Sequence, residues 1–342
     1  MTADNPAICG ITGVVDRRYS RRLLRQAFVQ GECYTARSFM GSGEQIGQGM
    51  DRLVLAPAAR RDAVLELLRS ARQTITLSMF RCDDFTILDE VAAAVQRGVH
   101  VRILITQRAR GWKKKLQELT LLLGSFGADV QPYQSSVMKY HAKYIVADDG
   151  PALVTSLNFT RKCFESTRDF LVFSEDPDVV NGLKMLFEHD WHTPTAPLSG
   201  ITNRLIVAPD QARQRVTERL RYAQTSIGIL DHRVTDPEIL ALLREKQSNG
   251  VPVKVIGDVR IDGLVAHGRM ILIDGVTAII GSIHLSPPSL DARREVALVI
   301  DQAPLVTRLY DYFQTMAGNE ANIMNLWPSG LPEEDEEDEE DE

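Results

Sequence analysis

Two octets in this 342-residue chain carry the same three chemical groups at the same spacing. HAKYIVAD (141–148) and HGRMILID (267–274) each set a cation two residues after a histidine and an aspartate seven residues after it. Alternate residues of a strand face the same way, so His141 with Lys143, and His267 with Arg269, are expected to project together from strands. Asp148 and Asp274 sit at odd spacing at the strand end and are read as structural, turn-stabilising members. Seven residues after each aspartate comes a small polar element, TSLN (155–158) and GSIH (281–284). Asp169 lies 28 residues after His141, and Glu295 lies 28 after His267. One octet alone is commonplace; two with the same downstream echoes are a pattern.

Two histidines and two cations make a site for a phosphate diester, provided the octets meet. One neutral imidazole attacks phosphorus to give a phosphohistidine, and the other, protonated, donates to the leaving oxygen. Lys143 and Arg269 offset charge on the non-bridging oxygens, with hydrogen bonds from Ser156, Asn158 and Ser282. Asp169 and Glu295 are the right type to fix each imidazole's tautomer. In a twofold arrangement each carboxylate serves the histidine of the other half. This chemistry calls for no metal and no cofactor.

The surrounding chain is duplicated, which is how two octets would come together. RLVLAP (52–57) matches RLIVAP (204–209) at an offset of 152, and the register holds without a gap through Val64 and Val216, Ile75 and Ile227, Arg81 and Arg233, Asp84 and Asp236, to Gly98 and Gly250. Each copy reads as helix (62–72; 212–224), apolar strand, helix (87–97; 238–249) and strand, which argues for parallel pairing with right-handed crossovers. The first copy carries 26 extra residues before its octet, with a helix near 114–126 and a strand near 129–133. Strands at 169–176 and 295–301, each followed by a helix (177–191; 305–317), complete the halves. The expected architecture is α/β: two tandem halves related by a pseudo-twofold axis, mixed sheets flanked by helices, and one shared active site. The expected domains are an appendage at 1–50, halves at 51–195 and 203–318, and an acidic tail at 319–342.

Composition sets the outer bounds. A hydrophobic content of 44% is normal for a packed globular chain. No apolar run of 18 residues suggests a spanning helix, and the N-terminus lacks a basic stretch ahead of an apolar one, so a cytoplasmic protein is expected. The net charge of -7 is set by the tail, since all ten residues from Glu333 to Glu342 are acidic, leaving 36 acidic against 39 basic side chains in the body. Such a tail is most simply solvated and disordered. Cys9, Cys33, Cys82 and Cys163 lack metal or redox spacing and are read as free thiols. Asp84 and Asp236 precede helices and are read as caps. Arg81 and Arg233 follow equivalent strands, where a ligand phosphate or plain solvent would be the neighbour. RARGWKKK (108–115) groups five cations around Trp112, which would suit a nucleic-acid backbone with a stacked base, an anionic membrane surface, or simply a solvated loop. His189 and His192 in EHDWH are read as ordinary helix-end residues.

The duplicated HxKxxxxD with its following G/T-S-x-N element resembles the phospholipase D superfamily over about residues 51–318. The resemblance implies two α/β halves sharing one site, with the first-motif histidine as nucleophile. His141, Lys143, Ser156 and Asn158 match the family pattern, with Thr155 where glycine is usual. The second motif departs: Arg269 stands for lysine and His284 for asparagine, so the phosphate grip changes from a point charge to a planar fork, while His284 can still hydrogen-bond phosphate. The implied activity is metal-independent phosphodiester cleavage. A phospholipase D or cardiolipin-synthase-like phosphatidyl hydrolase or transferase, peripheral to the membrane, is favoured. A DNA or RNA endonuclease is the alternative, and a non-catalytic phosphate- or nucleic-acid-binding protein the third reading. Vesicle and nucleic-acid substrates discriminate these; oligomeric state is not encoded in the pattern.

Overall fold

The computed structural model describes residues 50–135, 137–257 and 259–319. The expected appendage before Met50, with Cys9 and Cys33, and the acidic run lie outside the described residues. In chain order the first half supplies β1 (Asp51–Val54), β2 (Thr74–Met79), β3 (His100–Ile105), β4 (Asp129–Pro132), β5 (Lys139–Tyr140), β6 (Tyr144–Ala147), β7 (Ala152–Thr155), β8 (Thr167–Arg168) and β9 (Leu171–Ser174). The second supplies β10 (Leu205–Ala208), β11 (Ile227–Leu230), β12 (Val253–Ile256), β13 (Arg260–Ile261), β14 (Leu264–Ala266), β15 (Arg269–Ile273), β16 (Thr277–Gly281) and β17 (Arg293–Ile300).

The duplication is visible in the sheets. One runs β1-β9-β7-β6-β2-β3-β4 and the other β10-β17-β16-β15-β11-β12, the same order with no counterpart to β4. Helix Lys113–Ser125 and β4 are the extra residues of the first copy. β2 with β3, and β11 with β12, are parallel, as their intervening helices require, whereas β6 and β15 return antiparallel, so both sheets are mixed. Helices Phe85–Gln96 and Pro237–Ser248 begin where Asp84 and Asp236 accept backbone N–H bonds from their first turns. One core cluster draws from both sheets, Val146, Val154 and Val172 alongside Met270, Ile280 and Leu298, so the halves share an apolar interior. Arg204 adds ion pairs across the halves to Asp51 and Asp176, and buried Arg294 pairs with Asp190.

Strand exchange joins the halves at the octets. β5, the two residues immediately before His141, pairs in parallel with β17 of the second half, and the His141 amide donates to Arg294 O at 2.9 Å. β14, just ahead of His267, pairs in parallel with β8 of the first half, and the Gly268 amide donates to Arg168 O at 2.7 Å. Each histidine therefore sits on the segment where the chain leaves the opposite half and joins its own sheet. That corrects the expectation that the histidines lie within strands: β6 starts at Tyr144 and β15 at Arg269. The preceding backbone is committed to the other half and cannot also extend the home strand.

Asp148 and Asp274 end β6 and β15 in the left-handed region, at φ 49° and 57°. Asp148 accepts from the amides of Arg72, Gln73 and Thr74, each at 2.8 Å. Asp274 likewise accepts from Gln224, Thr225 and Ser226. Partial burial raises each carboxyl's pKa, but these amides outweigh it and hold the group below the usual carboxylate range. Asp148→Ala or Asp274→Ala is expected to lower stability by about 1–3 kcal/mol, because three amides lose one acceptor. Urea unfolding checks this, and an unchanged midpoint would show that water replaces the carboxylate at no cost.

Candidate active site

His267 and Asp169 come from opposite halves. His267 Nδ1 lies 2.9 and 3.0 Å from the two oxygens of Asp169, which is fully buried. A carboxylate only accepts, so Nδ1 carries the proton and Nε2 is the ring's remaining nitrogen. Asp169 also accepts from Ser156 Oγ at 2.7 Å and from Thr167 Oγ1 at 2.5 Å. Burial pushes its pKa up, but the His267 ring, Arg60 and Thr167 more than reverse that and hold it below the usual carboxylate range.

The mirror pair is His141 with Glu295, also from opposite halves, at 3.4 Å from Nδ1 to Oε1. This contact is looser than that of His267 with Asp169. Glu295 accepts a shorter bond from Ser289 Oγ at 2.9 Å, and burial raises its pKa against the pull of Arg293, Lys143 and Arg269. His141 is buried, with the Phe80 ring packed edge-on to it at 4.6 Å between centroids. Burial first, then Lys143, Arg269, Arg293 and His284, lowers its pKa well below the ordinary imidazole value, so it is neutral near pH 7.

The two cations complete the network. Lys143 Nζ is fully buried and donates to His141 O at 2.9 Å. Burial, then Arg269, pushes its ammonium well below the usual lysine range, with Glu295 opposing. Arg269 reaches His284 Nε2 through Nε at 2.9 Å and Nη2 at 2.6 Å, and its Nη1 lies 3.5 Å from Ser156 O. His284 stacks nearly parallel to His141, with centroids 6.5 Å apart. His141, Lys143, Arg269 and His284 thus form one buried group, tied through Ser156 and Asp169 to His267.

Some expected phosphate contacts face elsewhere. Ser156 donates its only hydroxyl proton to Asp169 and accepts from the Phe170 amide at 3.0 Å. Ser282, its counterpart, exchanges bonds with Val296 O and N at 3.3 and 3.2 Å. Both hydroxyls brace the sheet and the carboxylate strand. Asn158 is buried. Thr155 fits where its counterpart is glycine because its hydroxyl donates to Phe170 O at 2.9 Å, whereas a Cβ on Gly281 would lie 2.2 Å from Val296 O.

Trp112 is only 4% exposed, covered by Arg81 and Lys115, so its indole is not available to stack on a base or enter an interface. Around it Arg108, Arg110 and Lys113 to Lys115 remain exposed. Arg81 is itself buried between the Phe80 and Trp112 rings, and so is not a solvated loop arginine. His189 contacts Asp190 and Ala196 O at the end of helix Pro177–His192. Sequence reading missed Asp231, whose Oδ1 lies 2.6 Å from His284 Nδ1, and His232, whose ring packs edge-on to His284 with centroids 4.8 Å apart. The available signal was the duplication itself, since Asp231 falls opposite apolar Met79.

A family model described as cardiolipin synthase, PLD-like domain, matches residues 64–191 and 258–317. The mitochondrial cardiolipin hydrolase of Danio rerio is 24% identical over 128 residues, which cover 37% of this chain and 55% of that protein. The chain thus spans about half the length of that curated relative. A phosphatidylserine synthase from Haemophilus influenzae superposes with a TM-score of 0.61 at 12% identity, over 80% of this chain and 87% of that one. A polyphosphate kinase from Porphyromonas gingivalis gives 0.66 at 19% identity, over 77% of this chain and 50% of that one. At these identities the two structures establish likeness of fold.

Proposed function

The chain belongs to the phospholipase D superfamily, and from that premise we propose that it is a metal-independent phosphodiesterase that hydrolyses or transfers phosphatidyl groups through a phosphohistidine. The observation that carries the proposal is the crossed pairing: each octet histidine has its Nδ1 against a buried carboxylate of the other half, with Lys143 on His141 O and Arg269 beside Ser156, whose hydroxyl bonds Asp169.

In the first step His141 Nε2 donates its lone pair to phosphorus while the bond to the leaving oxygen breaks. His267, as imidazolium, gives its Nε2 proton to that oxygen, with Asp169 balancing the ring's charge. In the second step His267 takes a proton from water or an alcohol. The oxygen attacks phosphorus, the P–N bond breaks, and His141 returns to neutral imidazole. Arg269 and Lys143 balance the charge that builds on the non-bridging oxygens; the anionic diester opposes the loss of Lys143's proton.

The matching family model favours a phospholipid substrate. Among the described residues no helix is long and apolar enough to cross a membrane, and the exposed cations of 108–115 suit the surface of an anionic bilayer. The nuclease reading rests on those same cations but loses the stacking indole.

The deciding experiment offers the protein, in EDTA, vesicles of cardiolipin and phosphatidylcholine, with and without added alcohol, beside single-stranded DNA, duplex DNA and RNA. Expected is head-group release, or exchange with the alcohol, and intact nucleic acid. Nucleic-acid cleavage with inert vesicles would replace the lipid reading by the nuclease one. Binding without turnover of either would replace both by a non-catalytic phosphate-binding role.

A further inference from the structure

The second octet departs from the first at the position of the cation, and the departure has a structural companion. In the first half Lys143 stands with Asn158, and Met79 ends β2. At the equivalent positions the second half has Arg269, His284 and Asp231. All three are buried and in direct contact. Arg269 donates twice to His284 Nε2, and His284 Nδ1 meets Asp231 Oδ1. Asp231 is held in turn by the Arg233 amide on Oδ1 at 2.9 Å and the Leu285 amide on Oδ2 at 2.7 Å. His284 is held from behind by its own amide, which donates to Ser289 Oγ at 2.8 Å.

We propose that Asp231 and His284 are positioning residues for Arg269, a fixed relay that lets an arginine replace lysine as the second-half phosphate clamp; the inference rests on the phosphodiesterase reading given above.

Hydrogen-bond inventory dictates the relay's state. Arginine has five donors and no acceptor, so Nε2 of His284 must be the lone-pair nitrogen and its proton must sit on Nδ1, facing Asp231. The imidazole is thus a neutral, one-way coupler between a carboxylate and a guanidinium. Burial, followed by Arg269 and Arg293, lowers its pKa well below the ordinary value, consistent with that state. With Nε and Nη2 held by His284, the guanidinium plane is fixed and Nη1 is turned toward the first half, beside Ser156 O. A lysine is a point charge with rotatable donors and needs no such acceptor behind it. That explains why Met79 suffices where Lys143 supplies the charge, and why an asparagine there can take histidine's place.

The test has two arms. Nitrogen-15 spectra of the imidazoles, with His284 assigned by His284→Asn, are expected to show a neutral Nδ1–H tautomer for His284 from about pH 5 to 8. An Nε2–H tautomer or a protonated ring would overturn the relay whether or not the protein has activity. In the kinetic arm, Arg269→Lys, His284→Asn and Asp231→Ala are each expected to lower kcat for the vesicle substrate by about tenfold or more, with thermal melts confirming folding. Arg269→Lys with His284→Asn together is expected to recover about tenfold over Arg269→Lys alone. A purely structural role would make the two losses add, and that result would overturn the inference while leaving the phosphodiesterase reading in place. Wild-type protein inert on every phosphodiester would instead sink that reading, with the tautomer still deciding the relay.

Discussion

His141→Ala is expected to abolish phosphodiester turnover, by at least about 10⁴-fold, because in the proposed mechanism it removes the atom that bonds to phosphorus. The structure favours this histidine over His267 as nucleophile on two counts. His141 is buried beside Lys143 and near Arg269, which push it toward the neutral form an attacking nitrogen needs. His267 is clamped at Nδ1 by both oxygens of a fully buried, ionised Asp169, which suits a ring that must carry positive charge. The pH profile should follow. His141 has its pKa lowered in the folded protein, so kcat/KM should hold down through the ordinary imidazole range and fall only as pH drops through the lowered value. The sign for stability is the same: the unfolded chain binds a proton to this residue from about pH 6.5 downward and the folded one does not, so this residue's contribution to stability declines as pH falls over that window. Rapid quench in base, with mass spectrometry, should find phosphate on His141 in the wild type and none in the variant. Full turnover by His141→Ala, or phosphate on His267 instead, would reverse the assignment.

How much of this could be read beforehand depended on which features the duplication repeats. The octets, the 28-residue echoes to Asp169 and Glu295, and the crossed service of each carboxylate follow from two copies closing about a twofold axis, and the sheets keep identical strand order. What escaped prediction is either too short for a periodic signal or specific to one copy. β5 and β8 have two residues each, yet with β14 and β17 they decide that the histidines precede their strands. Trp112 looked like a surface indole because cations surround it in sequence. Burial against Arg81 and Lys115 depends on a strand end and a helix start that sequence proximity does not reveal. Ser156 looked like a phosphate donor, but its hydroxyl is committed to Asp169. Asp231 falls opposite Met79 in the first half, so it repeats no polar group there and stands out only as a difference between the copies.

His267→Ala is expected to slow cleavage of an alkyl phosphodiester by about 10²–10⁴-fold, the range for loss of a general acid and base. The larger consequence is which step is lost. A nitrophenolate leaving group needs no proton, so with an aryl diester the first step should proceed near the wild-type rate in the variant. The second step still requires a proton to be taken from water, so phosphorylated His141 should accumulate and a stoichiometric burst of nitrophenol should precede a slow steady state. Asp169→Asn should move the same way, because an amide in that place cannot balance an imidazolium. It should likewise leave the first step on the aryl diester fast and show the burst. Asp169 itself stays ionised at working pH: its folded pKa lies below the unfolded value, so its stabilising contribution is complete above about pH 4 and is lost only as pH falls through the folded value. Equal slowing of the aryl and alkyl substrates in His267→Ala, with no burst, would mean that this ring serves phosphate binding rather than proton transfer.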